Sequence, residues 1–223
     1  MQVKTQKKQV KKLPKKYKEW IPRVSELVSF VYPFESKFFL KWLESKWISE
    51  EDYMKEATEW WTFIHNQLEK YLLWEEVKSS KYDDYIISGQ EAIEELWIEP
   101  IYMEHYIWRE DIQWTIDLVA KIDWKKWIID FKTYNLSKDM FWLENKYKKP
   151  TDKLKKATLQ LSVYAELMNI KNIGVIELTK DWYHWHKLKK LNKDKINEYL
   201  LKFNESCTDK DTNIEQVDKN IIE

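Results

Sequence analysis

The sequence predicts an α/β fold, with a mixed central sheet and a hairpin at its middle flanked by helices. Three observations carry that expectation. Two runs rich in apolar and β-branched residues, Ile112–Ile122 and 127–133, are separated by a short polar break, as two strands of a hairpin would be. Long segments with three-four apolar spacing stand before and after them, at 49–74 and 153–168. The resulting order is helices, strands, a helix, then strands and a helix, which a layered α/β domain accommodates.

In chain order, residues 1–18 hold eight lysines and no acid and are expected to form a flexible basic arm. Such a run either stays solvated or touches nucleic-acid phosphates. A short amphipathic helix is predicted over 34–46 and a stronger one over 49–74. Ser49 with Asp52 three residues on reads as a capping box with Asp in the acidic place. Trp61, Ile64, His65 and Leu68 share a stripe of that helix, and Glu69 lies one turn beyond His65. Residues 80–88 read as a loop or edge segment, 89–97 as a short helix, and 101–107 as a strand carrying Glu104. After the hairpin, 135–152 is polar and loop-like. The helix over 153–168 places Gln160 and Tyr164 one turn apart, an arrangement that an ordinary boundary between core and solvent also produces. Asn172 and Gly174 mark its exit, a strand is expected at 175–178, and 179–187 reads as a further strand or a turn rich in aromatics. A last helix is predicted over 193–203, with an acidic disordered tail from 207 and a single domain over 19–206.

The hairpin is where chemistry is most legible. A two-residue turn at Asp123-Trp124 pairs Ile122 with Lys125 and puts Asp117 opposite Asp130 and Thr115 opposite Lys132. Asp117, Asp130 and Lys132 then share one face, while Ile116, Leu118, Ala120, Ile129 and Phe131 fall on the other as core. Like charges facing each other across a ladder are destabilising. A divalent cation between them relieves the repulsion, and hard cations take one or two carboxylates. A hairpin whose charged face meets water, with Lys132 paired to either aspartate, accounts for the same residues.

Composition narrows the class. No apolar run reaches the ~18 residues of a membrane span, and the start MQVKTQKKQVKK lacks the apolar stretch of a secretory signal. The lone cysteine, Cys207, excludes a disulfide framework, an iron–sulfur cluster and a cysteine-based zinc site, so a cytoplasmic protein is expected. There are 2 glycines, where average usage gives roughly 16. Against this stand 14 tryptophans, several in places where glycine makes physical sense. Trp124 sits at the hairpin turn, Trp47 follows a helix like a C-terminal stop, and Trp114 lies in the strand beside Asp117. These features raise the expectation that some of these codons are UGA, read as glycine in the source.

The ordered set of motifs resembles the PD-(D/E)xK nuclease superfamily, in particular its RecB-like branch, which includes many phage exonucleases. The resemblance covers about residues 55–170 and rests on five segments. These are Trp61-Thr-Phe-Ile-His65-Asn-Gln-Leu-Glu69, the strand glutamate Glu104, Trp114-Thr115-Ile116-Asp117, Asp130-Phe131-Lys132-Thr133, and Gln160 to Tyr164. Trp61, Trp114 and Trp124 stand where the family has glycine. The cysteine cluster of some relatives is absent.

The resemblance implies a restriction-endonuclease-like core and Mg²⁺- or Mn²⁺-dependent hydrolysis of DNA. Asp117, Asp130, His65, Glu104 and the Phe131 carbonyl would hold the metal, Lys132 would act on water or phosphate, and Gln160 and Tyr164 would position the substrate. For phage relatives it also implies a possible recombinase or annealing partner. A restriction-type endonuclease and an inactive DNA-binding protein of the same fold remain the alternatives.

Overall fold

The computed structural model describes residues 21–33, 36–133 and 152–219. The basic arm and most of the polar segment 135–152 lie outside them. Four helices come first: α1 (Val24–Val31), α2 (Ser36–Lys46), α3 (Glu50–Leu72) and α4 (Asp83–Glu95). Three strands follow, β1 (Glu99–Arg109), β2 (Ile112–Ile122) and β3 (Lys125–Thr133), then α5 (Asp152–Leu167), β4 (Asn172–Leu178), β5 (Tyr183–Leu188) and α6 (Lys193–Lys219). The strands form one mixed sheet in the order β1-β2-β3-β4-β5. Only β3 and β4 run parallel, joined through α5, and every other neighbouring pair is antiparallel. The α/β class with a mixed central sheet is therefore the observed one.

The hairpin has the expected register, with Ile122 paired to Lys125 and Leu118 to Ile129. Asp123 and Trp124 both have positive φ, 48° and 64°, as a two-residue turn matching the twist of the strands requires. The regular ladder ends at Leu118↔Ile129, one step before Asp117 and Asp130. Leu118, Ala120, Ile129 and Phe131 pack into one core cluster as anticipated, but Ile116 belongs to the other. The two clusters bury the two faces of the sheet. One gathers residues of α1, α5 and α6, and the other gathers α3 and α4.

Three helices depart from expectation. The segment read as a loop at 80–88 opens α4, which starts at Asp83. Asp83 accepts from the backbone N–H of Ser80 at 2.7 Å and from the Ser79 hydroxyl at 2.6 Å, and Tyr85, Ile86 and Ser88 are buried. Gly89, read as a start, is in mid-helix, and a Cβ there would lie 2.5 Å from the Leu68 side chain on α3. A side chain at 89 would have to displace the buried Leu68 side chain, so glycine suits this close helix packing. Helix α1 was not foreseen. Its eight residues bury Val24, Leu27 and Val28, and α6 extends to Lys219, past the predicted end at Phe203, so residues 207–219, expected as part of a disordered tail, are helical instead. Asn172 and Gly174 sit inside β4 rather than at an exit, which Asn169 supplies with φ 52°. The Ser49 cap is as read, with its hydroxyl oxygen accepting from the Asp52 N–H at 3.0 Å.

Candidate metal centre and active cleft

Five elements bring the predicted residues together. A cleft of about 580 Å³ is lined by His65 and Glu69 from α3, Glu104 from β1, Asp117 from β2, Asp130 and Lys132 from β3, and Gln160 and Tyr164 from α5. Phe131 takes part through its backbone, because its side chain faces the core. The β1–β3 part of the sheet that carries these residues thus has α3 on one face and α5 on the other.

His65 is oriented by the backbone. Its Nε2 donates to the Phe131 carbonyl at 3.0 Å, and since a carbonyl can only accept, Nδ1 carries the lone pair. Nδ1 lies 3.6 Å from Asp117 Oδ2. That oxygen is buried and has no hydrogen-bond partner. Burial lowers the His65 pKa from its ordinary 6.5 to about 4, so the imidazole is neutral at physiological pH. A neutral ring fixed through one nitrogen, with the other facing a carboxylate, is the usual arrangement of a metal-ligating histidine.

The two aspartates differ. Burial and the neighbouring Asp130 charge push the Asp117 carboxyl well above the ordinary carboxylate range. Burial also acts on Asp130, but Lys132, with its Nζ 2.7 Å from Asp130 Oδ2, outweighs it and holds Asp130 below that range. Without a cation, the protonated form of Asp117 is favoured, and its carboxyl hydrogen-bonds that of Asp130. Glu104 adopts φ 47°, a left-handed conformation rare for a residue with a side chain, between the pairs Met103↔Leu118 and His105↔Ile116. Glu104 lines the cleft together with His65 and Asp117. Backbone strain at a cleft residue is a common accompaniment of function. Gln160 Nε2 donates to the Tyr164 hydroxyl at 2.9 Å, so the pair acts as a unit.

The donor types suit a hard divalent cation, although among the described residues no three acids or histidines are grouped as a ready-made metal site. The set offers two carboxylates, an orphaned carboxylate oxygen, a neutral imidazole nitrogen and a third acid. The Phe131 carbonyl already accepts from His65 and has one lone pair left.

Sequence reasoning missed Arg23 and Gln113, which also line the cleft. Gln113 anchors the entering chain: its N–H donates to the Pro22 carbonyl at 2.8 Å and its side chain to that of Ile21. A contact across that much sequence leaves no local pattern. Trp114 is buried and stacks on Tyr164 with centroids 6.1 Å apart, and Trp61 lies 4.1 Å from the His65 ring.

Two predictions follow from these charges. Asp117→Asn removes a carboxyl whose ionisation is opposed by the fold. A raised folded pKa means that stability is lost as pH rises from the unfolded value through the folded one. At pH 7 in EDTA, Asp117→Asn is therefore expected to have a higher urea midpoint than the parent, while losing Mg²⁺-dependent stabilisation. For His65 the sign is opposite. Its depressed pKa costs stability as pH falls from 6.5 toward about 4, by up to about 3 kcal/mol. The drop in urea midpoint between pH 7 and pH 5 is expected to be smaller in His65→Gln than in the parent.

Comparison with known proteins places these observations in context. No protein-family model matches the chain, and no curated protein matches it. Among solved structures, one titled "Crystal structure of SSO0001" is similar at 14% identity with a TM-score of 0.43, covering 85% of this chain and 77% of that one. A likeness at that level carries no argument about the site. Among the described residues no helix is long and apolar enough to cross a membrane.

Proposed function

We propose that this chain is a metal-dependent deoxyribonuclease, acting as an exonuclease on linear DNA. The observation that carries the reading is the convergence of His65, Glu104, Asp117, Asp130, Lys132, Gln160 and Tyr164 in one cleft, with Asp117 Oδ2 orphaned against the His65 lone pair. Asp117 and Asp130 would hold Mg²⁺ or Mn²⁺, with His65 and Glu104 completing the set. When bound, such an ion lowers the pKa of a water and neutralises charge growing on the phosphate.

The chain's own groups do the rest. Asp130 is anionic because Lys132 stabilises its charge, and Lys132 stays protonated because, despite burial, Asp130 raises its pKa. The Lys132 ammonium can then donate to a phosphate oxygen as negative charge develops there, an interaction stronger in the transition state than in the ground state. His65, neutral and tied to Phe131, contributes a lone pair without adding positive charge that would compete with a cation. The Gln160–Tyr164 pair presents an amide and a hydroxyl from one helix face, suited to hold the strand in line for attack.

Because burial and Asp130 disfavour the Asp117 carboxylate, cation binding there is coupled to loss of its proton. Mg²⁺ affinity is expected to rise with pH through the raised Asp117 pKa, and calorimetry in buffers of different ionisation enthalpy should register proton release. Asp117→Asn should abolish that release.

Trp114 favours a second reading, an inactive DNA-binding protein, because its indole occupies space beside Tyr164 and Asp117. One assay separates the readings. Linear and closed-circular plasmid are incubated with the protein and Mg²⁺. Loss of linear DNA with circular DNA spared supports the exonuclease. Cleavage of the circle points to an endonuclease, and retention of both with a band shift points to the binding protein.

A further inference from the structure

We infer that Trp47, Trp74, Trp97 and Trp124 are glycine in the native protein, their codons being UGA decoded as glycine. The inference is independent of the nuclease reading, since none of the four lines the active cleft.

Among the described residues, seven that are not glycine have positive φ, and four of these are tryptophan: Trp47 at 57°, Trp74 at 60°, Trp97 at 50° and Trp124 at 64°. Neither glycine does. Left-handed backbone strongly favours glycine, tolerates asparagine and aspartate, and is an outlier for a bulky side chain. The remaining three are Glu104, Asp123 and Asn169.

The local structures are those that select glycine. Trp47, Trp74 and Trp97 stand at the ends of α2, α3 and α4 in matching hydrogen-bond pairs. Trp47 N–H donates to Glu44 at 3.1 Å and Ile48 N–H to Leu43 at 3.2 Å. Trp74 donates to Tyr71 and Glu75 to Lys70, at 3.0 and 2.9 Å, and Trp97 donates to Glu94 and Ile98 to Ile93, at 3.1 and 3.0 Å. This double bond pattern is the glycine-terminated helix end. At the end of α5 the same pair runs from Asn169 and Ile170, showing asparagine, the usual substitute, in that place. Trp124 is the second turn residue after Asp123, where Asp-Gly is the favoured sequence.

Nothing in the fold compensates for the strain. The four indoles are between 82% and 97% exposed. A tryptophan retained against backbone strain should gain contacts, and these gain almost none. In contrast, Trp185 packs directly over Gly174 and edge-on to Trp127 at 5.2 Å, and has positive φ nowhere near it. Exposure and left-handed backbone thus coincide at one set of positions.

The test reads the codons and the residues. The four codons are sequenced, and tryptic peptides spanning positions 47, 74, 97 and 124 are identified by mass spectrometry from protein purified from the organism that encodes it. The expected result is UGA at all four codons and glycine in all four peptides. A UGG codon at any of them, or tryptophan in any of the peptides whichever codon is found, overturns the inference.

Discussion

Asp130→Asn is expected to lower Mg²⁺-dependent DNA cleavage by on the order of 10³-fold, the upper end of what loss of one preorganised electrostatic group costs. The substitution removes the carboxylate that pairs with Lys132 at 2.7 Å and hydrogen-bonds Asp117. It also leaves an ammonium without its partner. Fully buried broken pairs cost roughly 3–5 kcal/mol, and Lys132, 28% exposed at its side chain, should cost less, about 2 kcal/mol. Stability and chemistry can be told apart with a second change. The double variant Asp130→Asn with Lys132→Met should regain most of the lost stability, because no unpaired charge remains, yet stay inactive. Recovery of cleavage in the double variant would remove Asp130 and Lys132 from the chemistry.

The second large effect is on stability. Replacing Trp47, Trp74, Trp97 and Trp124 together by glycine should raise the melting temperature. Left-handed backbone costs a non-glycine residue roughly 1–2 kcal/mol, and glycine's extra unfolded-state entropy takes back roughly 0.5–1 kcal/mol. Over four sites the net gain is about 2–4 kcal/mol, or roughly 5–15 °C for a chain of this size. Little packing is lost, since these side chains lie in solvent. Trp185→Ala is the opposing control and should lower the melting temperature, because its ring fills the space over Gly174. A four-glycine variant melting at or below the parent would mean that these turns do not carry the strain argued for them.

How far the sequence revealed this molecule depends on how local each signal is. The hairpin was legible because period-two alternation and a two-residue turn fix register within about twenty residues, and Ile122↔Lys125 is found as read. The Ser49 cap and α5 were legible for the same reason. Helix α4 was obscured by its own glycine. Gly89 normally punctuates a chain, but here it answers to Leu68 on a neighbouring helix, which no local pattern contains. Helix α1 is short, and its docking through Pro22 and Gln113 depends on residues far apart in sequence. The site residues were identified by spacing and resemblance. Their mutual orientation, above all the His65 bond to Phe131 and the place of Glu104 in the cleft lining, is tertiary and could only come from the fold.

The central claim is metal-dependent cleavage by the Asp117–Asp130–Lys132 face. The measurement that tests it most directly is degradation of end-labelled linear DNA with Mg²⁺ and with EDTA, run on the chain as written and on a version with glycine at Trp61, Trp114 and Trp124. The account predicts label release in Mg²⁺ that EDTA abolishes, stronger in the glycine version, where the indoles no longer cover His65 and Tyr164. Intact DNA after incubation of both folded versions with Mg²⁺ or Mn²⁺ would contradict it.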